Sequence, residues 1–263
     1  MPFYAIIFAA PTSGVELYSM NTTNYYAPDM LVASDAGNDT LHAGLGLSLL
    51  DGGTGADTLY GSTSAAGAAL LVSFSDGTVG SQLFAGLGAD TLYSGNGPDT
   101  LWGSTGSQSA LLVSRSAGTV MHAGHAHDTL IGYSGGGDTL YGSVGASGGA
   151  LLDVSCSVGG NLLYAALGND TLDASYSTGN NQLYGGLGAS TLMAGSAHDV
   201  LIGSGVSVTE YGATDSTGGA ALYAGSALSA VLNGGSGTDT LYGGSGADTL
   251  IASAGAGSLV LGG

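Results

Sequence analysis

Apolar and polar positions alternate along residues 33–263 with a short period of about nine residues. Each period begins with glycines, continues to an aspartate and ends in a triplet with leucine at its centre, such as Thr240, Leu241 and Tyr242. In an extended strand, neighbouring side chains point to opposite faces. The pattern therefore predicts short strands, each with its central leucine turned inward and its two neighbours turned outward.

The central leucines are expected to stack as ladders in the interior. The glycines before each triplet permit tight turns, because glycine adopts positive φ without steric cost. The leucines predicted to lie inside are Leu41, Leu50, Leu59, Leu92, Leu101, Leu130, Leu140, Leu172, Leu192, Leu201, Leu232, Leu241, Leu250 and Leu259.

A short repeat that runs through a whole chain predicts a solenoid, because one unit of this size has too little surface to bury a face alone. We predict an all-β fold, a parallel β-roll or β-solenoid of about 21 short turns. Longer units recur about every 40 residues, a spacing also found in propeller blades. The nine-residue phrase excludes a propeller, because its strands are too short for four-stranded blades.

The chain divides into two predicted parts. Residues 1–32 carry no repeat and are rich in Tyr, Phe, Ile and Asn. This non-repeat N-terminal segment is predicted to be a cap or an assembly arm. Residues 33–263 are predicted to form the repeat solenoid.

The charge balance excludes several partners. The chain has 19 acidic residues and only one basic residue, Arg115, which gives a formal net charge of −18. Nucleic acids and anionic membranes both need basic residues to bind them, so neither is an expected partner. A chain of this charge favours cations, and a divalent metal is the simplest choice.

Three further features bound the class of protein. The single cysteine, Cys156, allows no internal disulfide and is expected to be a small buried side chain. No apolar run reaches the ~18 residues of a membrane helix, so membrane insertion is not expected. The short apolar stretch at residues 3–10 has no basic residue before it, so a conventional secretory signal is not expected either.

The repeat resembles a known family, the RTX or haemolysin-type calcium-binding repeats. Residues 52–60, 234–242 and 243–251 each fit the full phrase Gly-Gly-x-Gly-x-Asp-x-Leu-x, and weaker copies cover most of residues 33–263. The resemblance implies a parallel β-roll in which turn aspartates and backbone carbonyls bind Ca²⁺. It also implies secretion by a type I pathway, which uses no cleaved N-terminal signal.

Calcium is thus the expected cofactor, since Ca²⁺ takes six to eight oxygen ligands. In the family, one ion lies between two stacked turns, so ligands are expected about 18 residues apart. Asp39 and Asp57 meet that spacing, whereas the partner positions of Asp239 and Asp248 hold Gly257 and Ala230. We therefore expect fewer ions than aspartate-bearing turns. The candidate ligands are Asp39, Asp57, Asp90, Asp99, Asp128, Asp138, Asp170, Asp199, Asp239 and Asp248.

Two alternatives stay open for these polar residues. In a largely metal-free solenoid, the aspartates would instead cap their own turns through the backbone. Separately, His122, His125 and His127 place three imidazoles within six residues, which is a pattern that a transition metal can use. No arrangement of residues supports catalysis, so we do not expect an enzyme.

The leading functional hypothesis is a secreted structural protein that assembles end to end with copies of itself into an extracellular filament, sheath or surface layer. An open strand edge at the last turn is a template for another chain. The alternative is a calcium-binding repeat module of an adhesin or another type I-secreted protein. Ice binding through outward threonines is a third idea, although longer units interrupt the threonine columns.

Overall fold

The fold follows the nine-residue pattern closely. The computed structural model describes residues 6–9, 14–20, 28–34, 37–133, 135–196, 198–253 and 257–263. Within these ranges the chain forms 26 short strands and no helix. The predicted all-β parallel β-solenoid is confirmed, with about 12 turns rather than 21, because each full coil takes up two strands and two glycine turns.

Each coil contributes one strand to each of two faces, and the strands are numbered in chain order. The odd-numbered strands form the first face: β1 (Ile6–Phe8), β3 (Asp29–Val32), β5 (Leu47–Asp51), β7 (Ala68–Val72), β9 (Thr91–Tyr93), β11 (Leu111–Ser114), β13 (Thr129–Gly132), β15 (Leu151–Asp153), β17 (Thr171–Asp173), β19 (Ala189–Met193), β21 (Ser207–Tyr211), β23 (Ser229–Asn233) and β25 (Ala247–Ile251).

The even-numbered strands form the second face: β2 (Glu16–Tyr18), β4 (Thr40–His42), β6 (Thr58–Tyr60), β8 (Gln82–Phe84), β10 (Thr100–Trp102), β12 (Val120–His122), β14 (Thr139–Tyr141), β16 (Leu162–Tyr164), β18 (Gln182–Tyr184), β20 (Val200–Ile202), β22 (Ala221–Tyr223), β24 (Thr240–Tyr242) and β26 (Leu259–Leu261).

The chain divides into two compact units, Met1–Leu130 and Ile131–Gly263. In the first unit, β1 to β11 pair in parallel along one face and β2 to β12 along the other. In the second unit, β15 to β25 and β14 to β26 pair in the same way. Each strand thus pairs with the strand one full coil away in sequence.

Leucines fill the space between the two faces, as predicted. Leu41, Leu59, Leu83 and Leu101 face one another in register from β4 to β10 and are fully buried. The prediction for Leu259 is wrong. In β26 the inward register position belongs to Val260, which pairs with Leu241, and Leu259 lies beside it on the outward side. The triplet Leu259, Val260 and Leu261 is apolar at all three positions, so its inward residue could not be read from the pattern.

Glycine allows the turns of successive coils to approach one another closely. Gly53 has a φ of 61°, a left-handed conformation that disfavours other residues. A Cβ on Gly86 would overlap the carbonyl oxygen of Ser62 in the preceding coil, and a Cβ on Gly55 would overlap that of Gly37. Backbone packed against backbone at these points explains why glycine recurs in every turn.

The described part of the N-terminal segment joins the same two faces. Ile7 pairs with Leu31 and Leu17 with Leu41, so β1 and β2 stand in register with the coils that follow them. The role of residues 1–32 as a cap or an assembly arm stays a prediction.

The expectation of a buried cysteine is wrong, because Cys156 is exposed. It lies in the turn that follows β15, outside the inward positions. Among the described residues, no helix has the length and apolar character to cross a membrane.

Aromatic rings form a stack on the outward side of the even-numbered strands. In the first unit the stack runs through six rings, with centroids 4.0 to 6.0 Å apart and nearly parallel planes: Tyr18, His42, Tyr60, Phe84, Trp102 and His122. The second unit has shorter stacks, Tyr141 with Tyr164 and Tyr184, and Tyr223 with Tyr242. Beside them, the outward threonines are interrupted by Gln82 and Val120 in the first unit.

Candidate metal centre

The predicted ligand aspartates share one position in the coil. Each stands two positions before the inward leucine of a strand. Nine of them are the last residue before that strand, and Asp248 is the second residue of β25. Nine of the ten are buried, and Asp248 is partly exposed. The position is therefore buried within the solenoid, where a carboxylate needs hydrogen-bond donors or a cation.

Seven of these aspartates are held by backbone amides in the same way. One carboxylate oxygen accepts an N–H from four residues earlier in its own turn, and the other accepts an N–H from the equivalent position in the preceding coil. The seven are Asp90, Asp99, Asp128, Asp170, Asp199, Asp239 and Asp248.

Asp90 illustrates the arrangement. Its Oδ2 accepts the amide of Gly86 at 2.8 Å and that of Ser62 at 3.1 Å, and its Oδ1 accepts the amide of Ala69 at 2.6 Å. Burial raises the pKa of Asp90, and the three backbone hydrogen bonds work against that rise. The same opposition holds for the pKa values of Asp99, Asp128 and Asp199, which burial raises and amide donors lower.

Asp39 and Asp57 differ from the seven, because they place two carboxylates in adjacent coils. Their strands pair in register, Thr40 with Thr58, and the Asp39 amide donates to Oδ1 of Asp57 at 2.8 Å. Asp39 itself is well supplied, with amide bonds from Val15 and Ser34 and a hydroxyl bond from Ser34. Next to each of the seven described above, the preceding coil has Ala, Ser or Asn instead of a second aspartate.

Asp57 lacks its own-turn donor. Four residues earlier, the Gly53 amide donates instead to Oδ1 of Asp51 at 3.0 Å. The Oδ2 atom of Asp57 is consequently buried without a hydrogen-bond partner, and the residue is only 1% exposed. Burial raises the pKa of Asp57 to about 7, against the Asp39 amide bond, and the charges of Asp39, Asp51 and Asp99 raise it further.

Two asparagines, which were not predicted as site residues, fill the same position without a charge. Asn161 and Asn181 stand two residues before Leu163 and Leu183, so their place in the phrase was the available signal. The Asp138 amide donates to Asn161 Oδ1 at 3.1 Å, and the Asn161 amide donates to Asn181 Oδ1 at 3.0 Å. Asparagine therefore makes the same coil-to-coil bond as aspartate.

The histidine pattern does not gather into one site. His122 lies in β12 and stacks on Trp102 with centroids 4.0 Å apart, whereas His125 and His127 are exposed in the following turn. Burial lowers the pKa of His122, which keeps its ring neutral.

One further acid lies outside the turns. Glu210 occupies the inward position of β21, between Leu192 and Leu232 of the neighbouring strands, where leucine stands elsewhere. It is 0% exposed and neither carboxylate oxygen has a hydrogen-bond partner. Burial raises its pKa to about 9.

Tested against the needs of Ca²⁺, the turns fall into two kinds. Within the described ranges, no three His, Cys, Asp or Glu side chains are placed to share a metal. The seven amide-held carboxylates do not fit a cation, because N–H groups surround them where oxygen ligands are needed. Asp57 fits better, since a buried carboxylate oxygen without a partner and a second carboxylate in the adjacent coil both favour a positive ion.

Comparison with known proteins gives one family. The model of the RTX calcium-binding nonapeptide repeat matches four segments, residues 34–63, 80–107, 175–206 and 225–259. The first segment includes Asp39 and Asp57. No curated protein and no solved structure matches the chain.

Proposed function

We propose that this chain, whose repeats are RTX calcium-binding nonapeptide repeats in a β-solenoid, is a calcium-binding module of a secreted protein, with its calcium site at the turn of Asp57. The observation that carries the proposal is the buried Oδ2 of Asp57, which has no hydrogen-bond partner. The seven amide-held aspartates have donors for both oxygens, whereas Oδ2 of Asp57 has no donor and a second aspartate, Asp39, lies in the adjacent coil.

Electrostatics supports the same turn. Asp39, Asp51 and Asp99 each raise the pKa of Asp57, because like charges nearby disfavour its ionisation. A bound divalent cation would relieve this repulsion, and its carboxylate ligand must be deprotonated. Since the pKa of Asp57 is about 7, calcium binding at pH 7 is expected to release a fraction of a proton.

Isothermal titration calorimetry with Ca²⁺ tests the proposal. In two buffers of different ionisation enthalpy, the wild-type chain is expected to bind calcium and release protons at pH 7. Asp57→Asn removes the charge and is expected to weaken calcium binding by more than about tenfold. The matched control is Asp199→Asn, which removes an amide-held carboxylate and is expected to leave calcium affinity unchanged. If Asp57→Asn binds like the wild type, or if Asp199→Asn loses the same affinity, the site is not at Asp57.

A second candidate function is end-to-end assembly into an extracellular filament. The observation in its favour is β26, whose inward residue Val260 is 41% exposed although its neighbour Leu241 is fully buried. An exposed parallel strand accepts another strand along its edge, here from a second copy of the chain. End-to-end association that does not close gives fibres.

Val260→Lys tests the assembly. A lysine at the inward position of the edge strand is expected to block addition of a further strand. Concentrated wild-type protein is expected to form fibres in electron micrographs, and the variant to remain monomeric by light scattering. Wild-type protein that stays monomeric at high concentration would rule out the filament and leave the calcium proposal intact.

Location and activity follow from the same proposal. Export by a type I pathway places the chain outside the cell, which the repeat family supports. We further propose a role without catalysis and without nucleic-acid partners, because the −18 charge repels phosphate backbones.

A further inference from the structure

We propose that the seven amide-held aspartates are ties between successive coils and do not serve as calcium ligands. The repeat family implies calcium at turn aspartates, but the surroundings of these seven are those of a bound anion. This inference goes beyond the calcium site proposed at Asp57 and does not depend on it.

Each of these carboxylates accepts hydrogen bonds from backbone N–H groups of two successive coils. Oδ1 of Asp199 accepts the amide of Asn181 at 2.6 Å, from 18 residues earlier in the preceding coil. Its Oδ2 accepts the amide of Gly195 at 2.6 Å, from its own turn. Each such carboxylate therefore connects two coils through one side chain, and it satisfies amides that the strand ladders leave over. Buried amides without acceptors would destabilise the fold.

The backbone dipoles around each of these carboxylates favour an anion. The positive ends of N–H dipoles converge on each carboxylate, as in backbone sites that bind anions. Ca²⁺ needs oxygen ligands around it, and the nearest polar atoms at Asp90 are the amide nitrogens of Gly86, Ala69 and Ser62. A cation here would face the positive ends of the same dipoles.

At two turns of this chain, asparagine stands where other turns have aspartate. Asn161 and Asn181 occupy the aspartate position, and their Oδ1 atoms accept the same bond from the preceding coil. A neutral amide is a poor replacement for a calcium carboxylate, but it is a good replacement for a hydrogen-bond acceptor. The position therefore needs an acceptor, with or without a negative charge.

Several of the amide-held aspartates are two coils apart, not in adjacent coils. Along β7 to β13 in the first unit, the position two residues before the inward leucine reads Ala69, Asp90, Ala110 and Asp128, so aspartate alternates with alanine over these four coils. Each alanine supplies the amide that the next aspartate accepts. Alternation separates the carboxylates by two coils, which limits their repulsion without a cation. A shared calcium site would need them in adjacent coils.

Hydrogen exchange on single amides tests the proposal with variants of Asp199. Asp199→Ala is expected to speed exchange at the amides of both Asn181 and Gly195 by at least about tenfold, because both lose their acceptor. Asp199→Asn keeps one oxygen, so it is expected to preserve protection at Asn181 and lose it at Gly195. Both results are expected to be the same in calcium and in chelator.

Asp215→Ala is the matched control. Asp215 is a partly exposed turn aspartate that accepts amides only two and three residues away, from Thr217 and Gly218. Its loss is expected to change exchange in its own turn and leave the neighbouring coils protected. The wild-type chain adds a measurement that needs no variant, because the amides of Ser81, Asn181 and Ala220 are expected to stay protected in chelator.

Three results would overturn the proposal. One is loss of protection at Ser81, Asn181 and Ala220 when calcium is removed from the wild-type chain. Another is unchanged exchange at Asn181 in Asp199→Ala. The third is an Asp199→Asn variant whose Asn181 amide exchanges as fast as in Asp199→Ala, which would show that the charge and not the acceptor matters.

Discussion

Asp199 and Glu210 lie eleven residues apart in the same unit, are equally buried and carry the same charge group, yet their surroundings are opposite. Asp199 is 1% exposed and accepts backbone amides on both oxygens. Glu210 is 0% exposed and accepts none. Turns contain amides that no ladder uses, whereas strand amides are already paired. In this pair, the carboxylate that lies beside free turn amides is stabilised by hydrogen bonds, and the carboxylate in the middle of a strand is not.

The site of Glu210 is adapted to its size but not to its charge. A Cβ on Gly203 would meet Cγ1 of Val208 at 2.5 Å and the carbonyl oxygen of Ala224 at 2.8 Å, and it would lie 3.2 Å from Oε1 of Glu210, so glycine keeps this crowded place open. Leu192 and Leu232 flank it in the neighbouring strands. The side chain is accommodated sterically and is kept neutral by burial, which raises its pKa to about 9.

The largest effect is expected from Glu210→Leu, which removes one side of the comparison. The folded-state pKa of about 9 lies above the ordinary glutamate pKa of 4.5, so the folded chain prefers the protonated form. The stability that this group contributes is complete below pH 4.5 and is lost as the pH rises to about 9. At pH 7 the variant is expected to gain about 3 kcal/mol in free energy of unfolding, from urea denaturation.

Glu210→Gln is the control, since it keeps the shape and cannot titrate. It is expected to remove the part of the fall in stability between pH 5 and 9 that Glu210 causes, and to leave the part that the raised pKa of Asp57 causes. The interpretation is wrong if the wild-type chain is equally stable at both ends of this range.

A smaller effect is expected from Asn181→Asp, which brings a charge into a turn that already has one next to it. Asn181 Nδ2 donates to Ser177 Oγ at 3.0 Å and to Asp199 Oδ1 at 3.1 Å. A carboxylate in its place loses these donors and faces Asp199, so we expect a loss of about 2 kcal/mol at pH 7. Lower pH is expected to restore part of it in urea denaturation.

A calcium titration of the same variant tests what a calcium site requires. Asn181→Asp creates two aspartates 18 residues apart, the separation of Asp39 and Asp57. If adjacent carboxylates are what a calcium turn requires, calorimetry is expected to show one additional binding event in the variant. An unchanged number of bound ions would show that adjacency alone does not make a site.

The smallest effect on stability is expected on the outer surface of the even-numbered strands, from Trp102→Ala. Trp102 stacks between Phe84 and His122, with centroids 6.0 and 4.0 Å away. Aromatic pairs contribute about 1 kcal/mol each beyond burial, and Trp102 is partly exposed. We expect a loss of about 2 kcal/mol or less, with unchanged exchange at the Ser81 amide. Loss of protection there would mean that the outer stack, and not the turns, holds the coils together.

The sequence predicts the strands and their inward residues well, and it predicts the conformation of the turns less well. Triplets such as Thr58, Leu59 and Tyr60 predict inward leucines, because alternation is a property of any extended strand. The triplet at Leu259 could not be resolved, since all its residues are apolar. Cys156 was misplaced because composition says nothing about whether a turn residue faces in or out.

The candidate site was predicted in position but not in kind. Spacing identified Asp39 and Asp57 as neighbours, and the register confirms that they lie in adjacent coils. Whether a carboxylate meets amides or an unpaired oxygen depends on where the Gly53 amide points, and that is a property of turn conformation. Glu210 escaped notice because a lone acid among apolar residues in β21 follows no repeat.

The aromatic stack has a consequence for how this molecule can be observed. Trp102 is the only tryptophan in the chain, and it lies in the first unit against a histidine ring that quenches fluorescence when protonated. Its emission therefore reports the first unit alone, while far-ultraviolet dichroism reports both. An unfolding curve recorded by both signals separates the first unit, where we propose the calcium site, from the unit that holds Glu210.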